Sequence, residues 1–225
     1  MSDPAASDPA AARARMVETQ LVRRGVGDAR VLDAMRLVPR ERFVEPGCEA
    51  WAYDDGPLPI GDGQTISQPY IVALMAEAAG IKPGDRVLEV GAGSGYAAAV
   101  LSRIAARVYA VERHPVLGAA ARRRLAGLGY GNIDLRVGDG TLGWPEAAPF
   151  DAILVAAGGP ETPRALKAQL ALGGRLVIPV GKTRHGQTLL KITRVGETGF
   201  AEEDLAAVRF VPLVGAQGWS GDAAP

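Results

Sequence analysis

The sequence holds a single cysteine, Cys48, and two histidines, His114 and His185, in 225 residues. One cysteine cannot close an internal disulfide, and so few ligating side chains exclude a rich metal site, so no metal is expected. An excess charge of either sign is missing too. Lys+Arg and Asp+Glu are both 25, and nothing electrostatic then favours nucleic acid or an anionic membrane. No apolar run is long enough to span a bilayer, and no positively charged start leads into an apolar stretch, so a cytoplasmic setting is expected. His114 precedes Pro115 at a helix start and His185 lies in a polar turn, so neither reads as catalytic. Hydrophobic residues are plentiful at 48%, enough for the core of one α/β domain.

Within that frame the stretch Arg86-Val87-Leu88-Glu89-Val90 reads as a buried parallel strand. Gly91, Gly93 and Gly95 follow as a tight turn, and Ala97 to Ala106 reads as a helix. Glycines there keep side chains from between the backbone and a ligand, while the helix start offers free N–H groups. Glu112 closes a second short strand, Val108 to Val111, where an acid would grip a ribose diol. A dinucleotide fingerprint needs glycine at position 96, and Tyr96 stands there, which disfavours a nicotinamide oxidoreductase. The spacing is instead acid-x-Gly-x-Gly-x-Gly, from Glu89 to Gly95.

Around this unit the pattern alternates strand and helix. Residues 1–12 are small and polar and read as a tail; amphipathic helices are expected over 13–24 and 28–37. The Gly/Pro-rich stretch from Tyr53 to Gly63 reads as a long loop, and Pro69 to Ala79 as a buried helix that Ser67 could cap. Further on come a helix at 115–128, strands at 133–137 and 150–155, a helix at 163–170 and a strand at 175–180. Two last strands, 189–195 and 205–211, read as an antiparallel hairpin joined by Gly196–Gly199. Arg122-Arg123-Arg124, opposite the apolar stripe of its helix, reads as a solvated face. No internal repeat is visible. The division expected is a tail (1–12), a helical layer with its loop (13–80), a nucleotide-binding core (81–214) and a second tail (215–225).

The glycine turn with its preceding acid resembles the S-adenosylmethionine loop of the class I methyltransferases. Leu58-Pro59-Ile60-Gly61-Asp62-Gly63-Gln64-Thr65-Ile66-Ser67-Gln68-Pro69 is more specific: it closely resembles the signature of protein-L-isoaspartate O-methyltransferase. Val38 to Val44, Gly138-Asp139-Gly140, Ala148 to Ile153 and Arg209-Phe210-Val211-Pro212-Leu213 resemble the same family and occur in its order. The resemblance implies a doubly wound, mostly parallel seven-stranded Rossmann-like sheet, with an N-terminal helical layer and a C-terminal antiparallel hairpin. It also implies methyl transfer from S-adenosyl-L-methionine, leaving S-adenosyl-L-homocysteine, to the α-carboxylate of L-isoaspartyl residues in proteins and peptides. By the same resemblance Ser67 becomes the catalytic candidate. Gln64, Thr65 and Ile66 become cofactor-loop contacts, and Glu89 faces the methionyl amine. Gly91, Gly93 and Gly95 form the turn, Glu112 holds the ribose with Arg113 a further cofactor contact, and Asp139-Gly140 meets the adenine. A carboxylate is already ionised near pH 7, so no catalytic His or Cys is required. A monomer is expected.

One departure stands out: Ala156-Ala157-Gly158-Gly159-Pro160-Glu161 replaces a tighter family pattern, and two glycines would loosen the floor under the substrate. Two other readings compete. One is a carboxyl methyltransferase that tailors aspartyl residues of a dedicated peptide; the other is a non-catalytic S-adenosylmethionine-binding module.

Overall fold

The computed structural model describes residues 8–183 and 186–220, so the expectations for residues 1–7, His185 and 221–225 lie outside the described residues. Helix α1 (Pro9–Met16) starts inside the expected tail because Asp8 caps it, its carboxylate accepting from Ala10 N at 3.0 Å, with proline in the first turn. The helix then widens over Val17–Leu21, tightens over Val22–Arg24 and stops at Gly25, whose φ of 92° only glycine adopts freely. Helix α2 (Ala29–Leu37) is capped by Asp28 and buries Val31, Leu32, Ala34 and Met35.

The expected loop before Gly63 contains a hairpin, β1 (Leu58–Gly61) and β2 (Gln64–Ile66). Its turn residues Asp62 and Gly63 have φ of 49° and 67°. That left-handed pair matches the twist of a two-residue hairpin, and Asp-Gly is its usual sequence signal. Helix α3 (Pro69–Ala79) leads to β3 (Arg86–Val90) and α4 (Tyr96–Ser102). Helix α4 ends four residues before the expected Ala106, since the chain must turn there into β4 (Arg107–Glu112), with Ala106 N donating to Asp85 O at 3.0 Å. Then follow α5 (Pro115–Gly127), β5 (Ile133–Val137), β6 (Phe150–Val155), α6 (Arg164–Ala168), β7 (Leu170–Val180), β8 (Gln187–Arg194) and β9 (Phe200–Val208).

The main sheet runs β5-β4-β3-β6-β7-β8-β9, parallel through β7 and antiparallel for β8 and β9. Strand order reverses at β3, which pairs with both β4 and β6. Side chains alternate between two cores. Val87, Ala110 and Ala152 face Met16, Leu21, Met35 and Phe43 of the N-terminal layer. Leu88, Val90, Ile153 and Leu176 face the opposite side. β9 is one edge of the sheet and β5 the other; Ala201, Glu202, Glu203 and Asp204 on β9 are exposed, with a bulge in its pairing at Leu189/Leu190.

β9 stops at Val208, short of the expected 211, because residues 210–213 leave the sheet as a strap along the chain that follows β6. Gly158 N donates to Val211 O at 2.8 Å and Leu213 N to Gly158 O at 2.9 Å. The expected C-terminal tail is docked as far as it is described. Ala216 N donates to Asp139 Oδ2 at 2.7 Å, and Trp219 Nε1 to Gly158 O at 2.9 Å. No helix among the described residues is long and apolar enough to cross a membrane.

Candidate active site

In a doubly wound sheet, ligands bind beyond the carboxyl ends of the strands where the order reverses. That point lies here between the turn after β3 and the turn after β6. A Cβ built on Gly91 would stand 3.6 Å from the Ala156 Cβ. Gly91, Gly93 and Gly95 have φ of 89°, 52° and 87°, so each holds a conformation that side chains disfavour. Their roles then separate. A Cβ on Gly95 would lie 3.2 Å from Leu125, so this glycine lets α5 pack against the turn. Tyr96, where a dinucleotide site would need glycine, is buried against Phe43, with ring centroids 5.6 Å apart, and locks α4 to the helical layer.

Two carboxylates sit under the turn and differ sharply. Glu112 Oε2 accepts from Gly93 N at 2.7 Å and its Oε1 from His114 N at 2.8 Å, so it ties the glycine turn to the tip of β4. Glu89 is 2% exposed, and its Oε2 has no hydrogen-bond partner among the described residues. Burial, and then the charge of nearby Glu112, pushes its carboxyl well above the ordinary range. Arg124 departs from the expected solvated face: it is half-buried and donates to Ser94 O at 2.8 Å, bracing the turn. Arg122 donates to Leu135 O at 2.7 Å.

Two cavities adjoin at this point. The smaller, about 130 Å³, is lined by Gln64, Gly91, Gly93, Glu112, Arg113 and Gly140, with His114 and the strap beside them. The larger is a groove of about 820 Å³, with Thr65, Ser67, Gln68 and Ile71 on one side and residues 207–212 on the other. Ala156, Val211 and Pro212 line both. Ser67 therefore faces the groove. It does not cap α3, since Gln68 holds that position and no side chain bonds there.

Other expected residues stand back from the lining. Ile66 is a buried core residue, so only its backbone is available to a ligand. Glu89 lies beneath the turn. The Asp139 carboxylate accepts from Thr141 N at 2.8 Å, Thr141 Oγ1 at 2.6 Å and Ala216 N at 2.7 Å. Burial opposes its charge, but the Ala216 N–H and the Thr141 donors prevail and hold its carboxyl below the usual range. Asp139 thus braces the Gly140 turn, and Gly140 itself presses on Val90, whose Cγ1 a Cβ would meet at 2.4 Å. Sequence reasoning passed over His114 and the strap residues 211–214 as lining, and it named the segment of Ala156-Ala157 only as a floor under the substrate, not as a wall at the junction of the two cavities. The small-residue run at the end of β6, at the reversal point, was the available signal for the last pair.

The turn after β6 is not loose. Gly158 bonds Val211 through its N–H and Leu213 and Trp219 through its carbonyl, and Gly159 N donates to Pro179 O at 3.0 Å.

Comparison with known proteins agrees with this geometry. The family profile described as protein-L-isoaspartate(D-aspartate) O-methyltransferase matches residues 12–218. A protein-L-isoaspartate O-methyltransferase of Methylorubrum extorquens is 66% identical over 92% of this chain and 90% of its own length. That of Methylorubrum populi is 64% identical over 94% and 99%. Among solved structures, a protein-L-isoaspartate O-methyltransferase aligns with a TM-score of 0.84 at 32% identity, covering 92% of this chain and 67% of that one. A Plasmodium falciparum structure described as such an enzyme in complex with S-adenosyl-L-homocysteine aligns with a TM-score of 0.76 at 28% identity, covering 90% and 98%. With the glycine turn, its two acids and the Ser67 groove gathered at the carboxyl ends of the central strands, the chain belongs to the protein-L-isoaspartate(D-aspartate) O-methyltransferase family.

Proposed function

We propose that the chain transfers a methyl group from S-adenosyl-L-methionine to the α-carboxylate of L-isoaspartyl residues in damaged proteins and peptides. The observation that carries this reading is the junction of the two cavities at Ala156, Val211 and Pro212, with the glycine turn on one side and Ser67 on the other. The residues fit such a cofactor. A Cβ on Gly93 would stand 3.0 Å from Ile60 Cδ1, so the bare glycine lets β1 pack close against the turn, and the unpartnered Glu89 oxygen beneath it suits a cationic amine. Glu112 and Arg113 serve the ribose, and Gly140, braced by Asp139, shapes the adenine end. Gln64 and Thr65 close over the junction from β2. When bound, the cofactor supplies a methyl already activated on a sulfonium.

The chain's own work is alignment. An isoaspartyl carboxylate is ionised at neutral pH and needs no base. The Ser67 hydroxyl and neighbouring N–H groups orient one carboxylate oxygen toward the junction, while the strap and Ile71 exclude water. The resulting methyl ester is a better electrophile than the acid, so the following backbone nitrogen attacks its carbonyl carbon. The C–OCH3 bond breaks and methanol leaves with the nitrogen's proton, and hydrolysis of the succinimide so formed returns some normal aspartyl. A cytoplasmic setting, a single chain as the working unit and no nucleic-acid partner complete the proposal, the last supported by the balanced charge.

Labelled-methyl transfer to matched isoaspartyl and aspartyl peptides tests it. Label is expected on the isoaspartyl peptide, with the aspartyl peptide far poorer. Equal labelling supports a tailoring enzyme; cofactor binding with no labelling of either supports a binding module.

A further inference from the structure

The groove has one wall whose position is set from behind. Gln187, the first residue of β8, is 4% exposed, and its Oε1 accepts from Phe210 N at 2.8 Å. Phe210 begins the strap and lines the groove opposite Ser67. On its way there the Gln187 side chain crosses Gly158 so closely that a Cβ on Gly158 would stand 2.8 Å from Cδ and 2.9 Å from Nε2. Gly181 faces the same side chain, its Cβ position 3.2 Å from Cγ. Gly158 in turn bonds Val211 and Leu213 on the strap. The glycine that departs from the expected family pattern therefore provides the space this amide occupies.

We propose that Gln187 is a positioning residue for the peptide substrate: it fixes the Phe210 wall of the groove, and Gly158 exists to admit it. The inference rests on the proposed activity. The amide bonds the groove end of the strap, at Phe210. The cofactor end, at Leu213, is held by backbone bonds, Leu213 N to Gly158 O at 2.9 Å and Trp219 N to Leu213 O at 2.8 Å, and among the described residues takes no bond from the Gln187 amide. Disturbing Gln187 therefore acts on peptide capture and leaves cofactor binding in place.

The test is the steady-state kinetics of isoaspartyl peptide methylation, with S-adenosyl-L-homocysteine affinity measured on the same proteins. Gln187→Met keeps the length but loses a strong acceptor, and leaving the Phe210 N–H unpaired should raise KM for the peptide about tenfold. Product affinity should change less than twofold (roughly the scatter of such measurements). Gln187→Asn, too short to reach Phe210, should behave alike and stands in if the first variant does not fold. Gly158→Ala should raise KM in the parent and much less in a Gln187→Ala background, where the clash is gone, so the pair should be non-additive. An unchanged KM in both Gln187 variants overturns the inference, as does an equal effect of Gly158→Ala in the two backgrounds. A parent that methylates no isoaspartyl peptide overturns the activity itself and this inference with it.

Discussion

At the scale of single residues, Ser67 and the two acids carry most of the expected behaviour. Ser67 caps no helix, so Ser67→Ala should leave the melting temperature nearly unchanged. If it orients the carboxylate, kcat should fall ~10²-fold, the scale of a lost oriented donor, with cofactor affinity preserved. A variant that turns over at the parent rate removes Ser67 from the chemistry. Glu112 uses both oxygens as acceptors, for Gly93 N and His114 N. Glu112→Ala should weaken S-adenosyl-L-homocysteine binding about ten- to a hundredfold, the loss of a charge-assisted bond. Glu112→Gln should be little better, since its NH₂ must face one of two N–H donors; calorimetry on both variants decides it.

Glu89 behaves in the opposite sense. Its carboxyl is raised in the folded chain by burial and by Glu112. The folded state therefore holds the proton more tightly than the unfolded one. The stability this brings is complete below the unfolded carboxyl range and is lost as pH rises through the folded value. Glu89→Gln should thus melt higher than the ligand-free parent at pH 8, with the difference closing toward pH 4; thermal melts across that range measure it. The glycines and Glu112 were legible because their spacing is local. The Asp139 partner was not: Ala216 lies 77 residues along the chain, and no periodicity carries that contact.

At the scale of elements, the hairpin of β1 and β2 carries Gln64 and Thr65 to the junction, and its turn needs positive φ at Asp62 and Gly63. A β-branched residue is the worst substitute at such a position. Gly63→Val should cost about 1–3 kcal/mol of stability, read from the denaturant midpoint, whereas Asp62→Asn should be nearly neutral. The Asp-Gly pair made this hairpin readable, but proline and glycine density suggested a loop instead. Strands β3 to β6 were plain from their apolar runs. The end of β9 was not, because Phe210-Val211 looks like strand, and the groups that draw it away are the Gln187 side chain and Gly158, the latter more than fifty residues earlier in sequence.

At the scale of the molecule, the C-terminal segment closes the back of the site. Ala216, Gln217 and Trp219 reach Asp139, Thr141 and Gly158. Deleting residues 216–225 should remove the Ala216 N–H from the Asp139 carboxylate and leave it only its Thr141 donors, lower the melting temperature and weaken S-adenosyl-L-homocysteine binding together. Loss of stability alone would separate this segment from the site.

The β9 edge of the sheet has a consequence for the company such a protein keeps. Aged, isoaspartyl-bearing chains are often partly unfolded, and an unfolded chain adds readily as an extra strand to any flat, apolar edge. β9 offers Glu202, Glu203 and Asp204 in a row, next to a bulge that twists it. That acidic, twisted border disfavours strand addition at β9, so an isoaspartyl client would meet the enzyme at its groove and not along this edge.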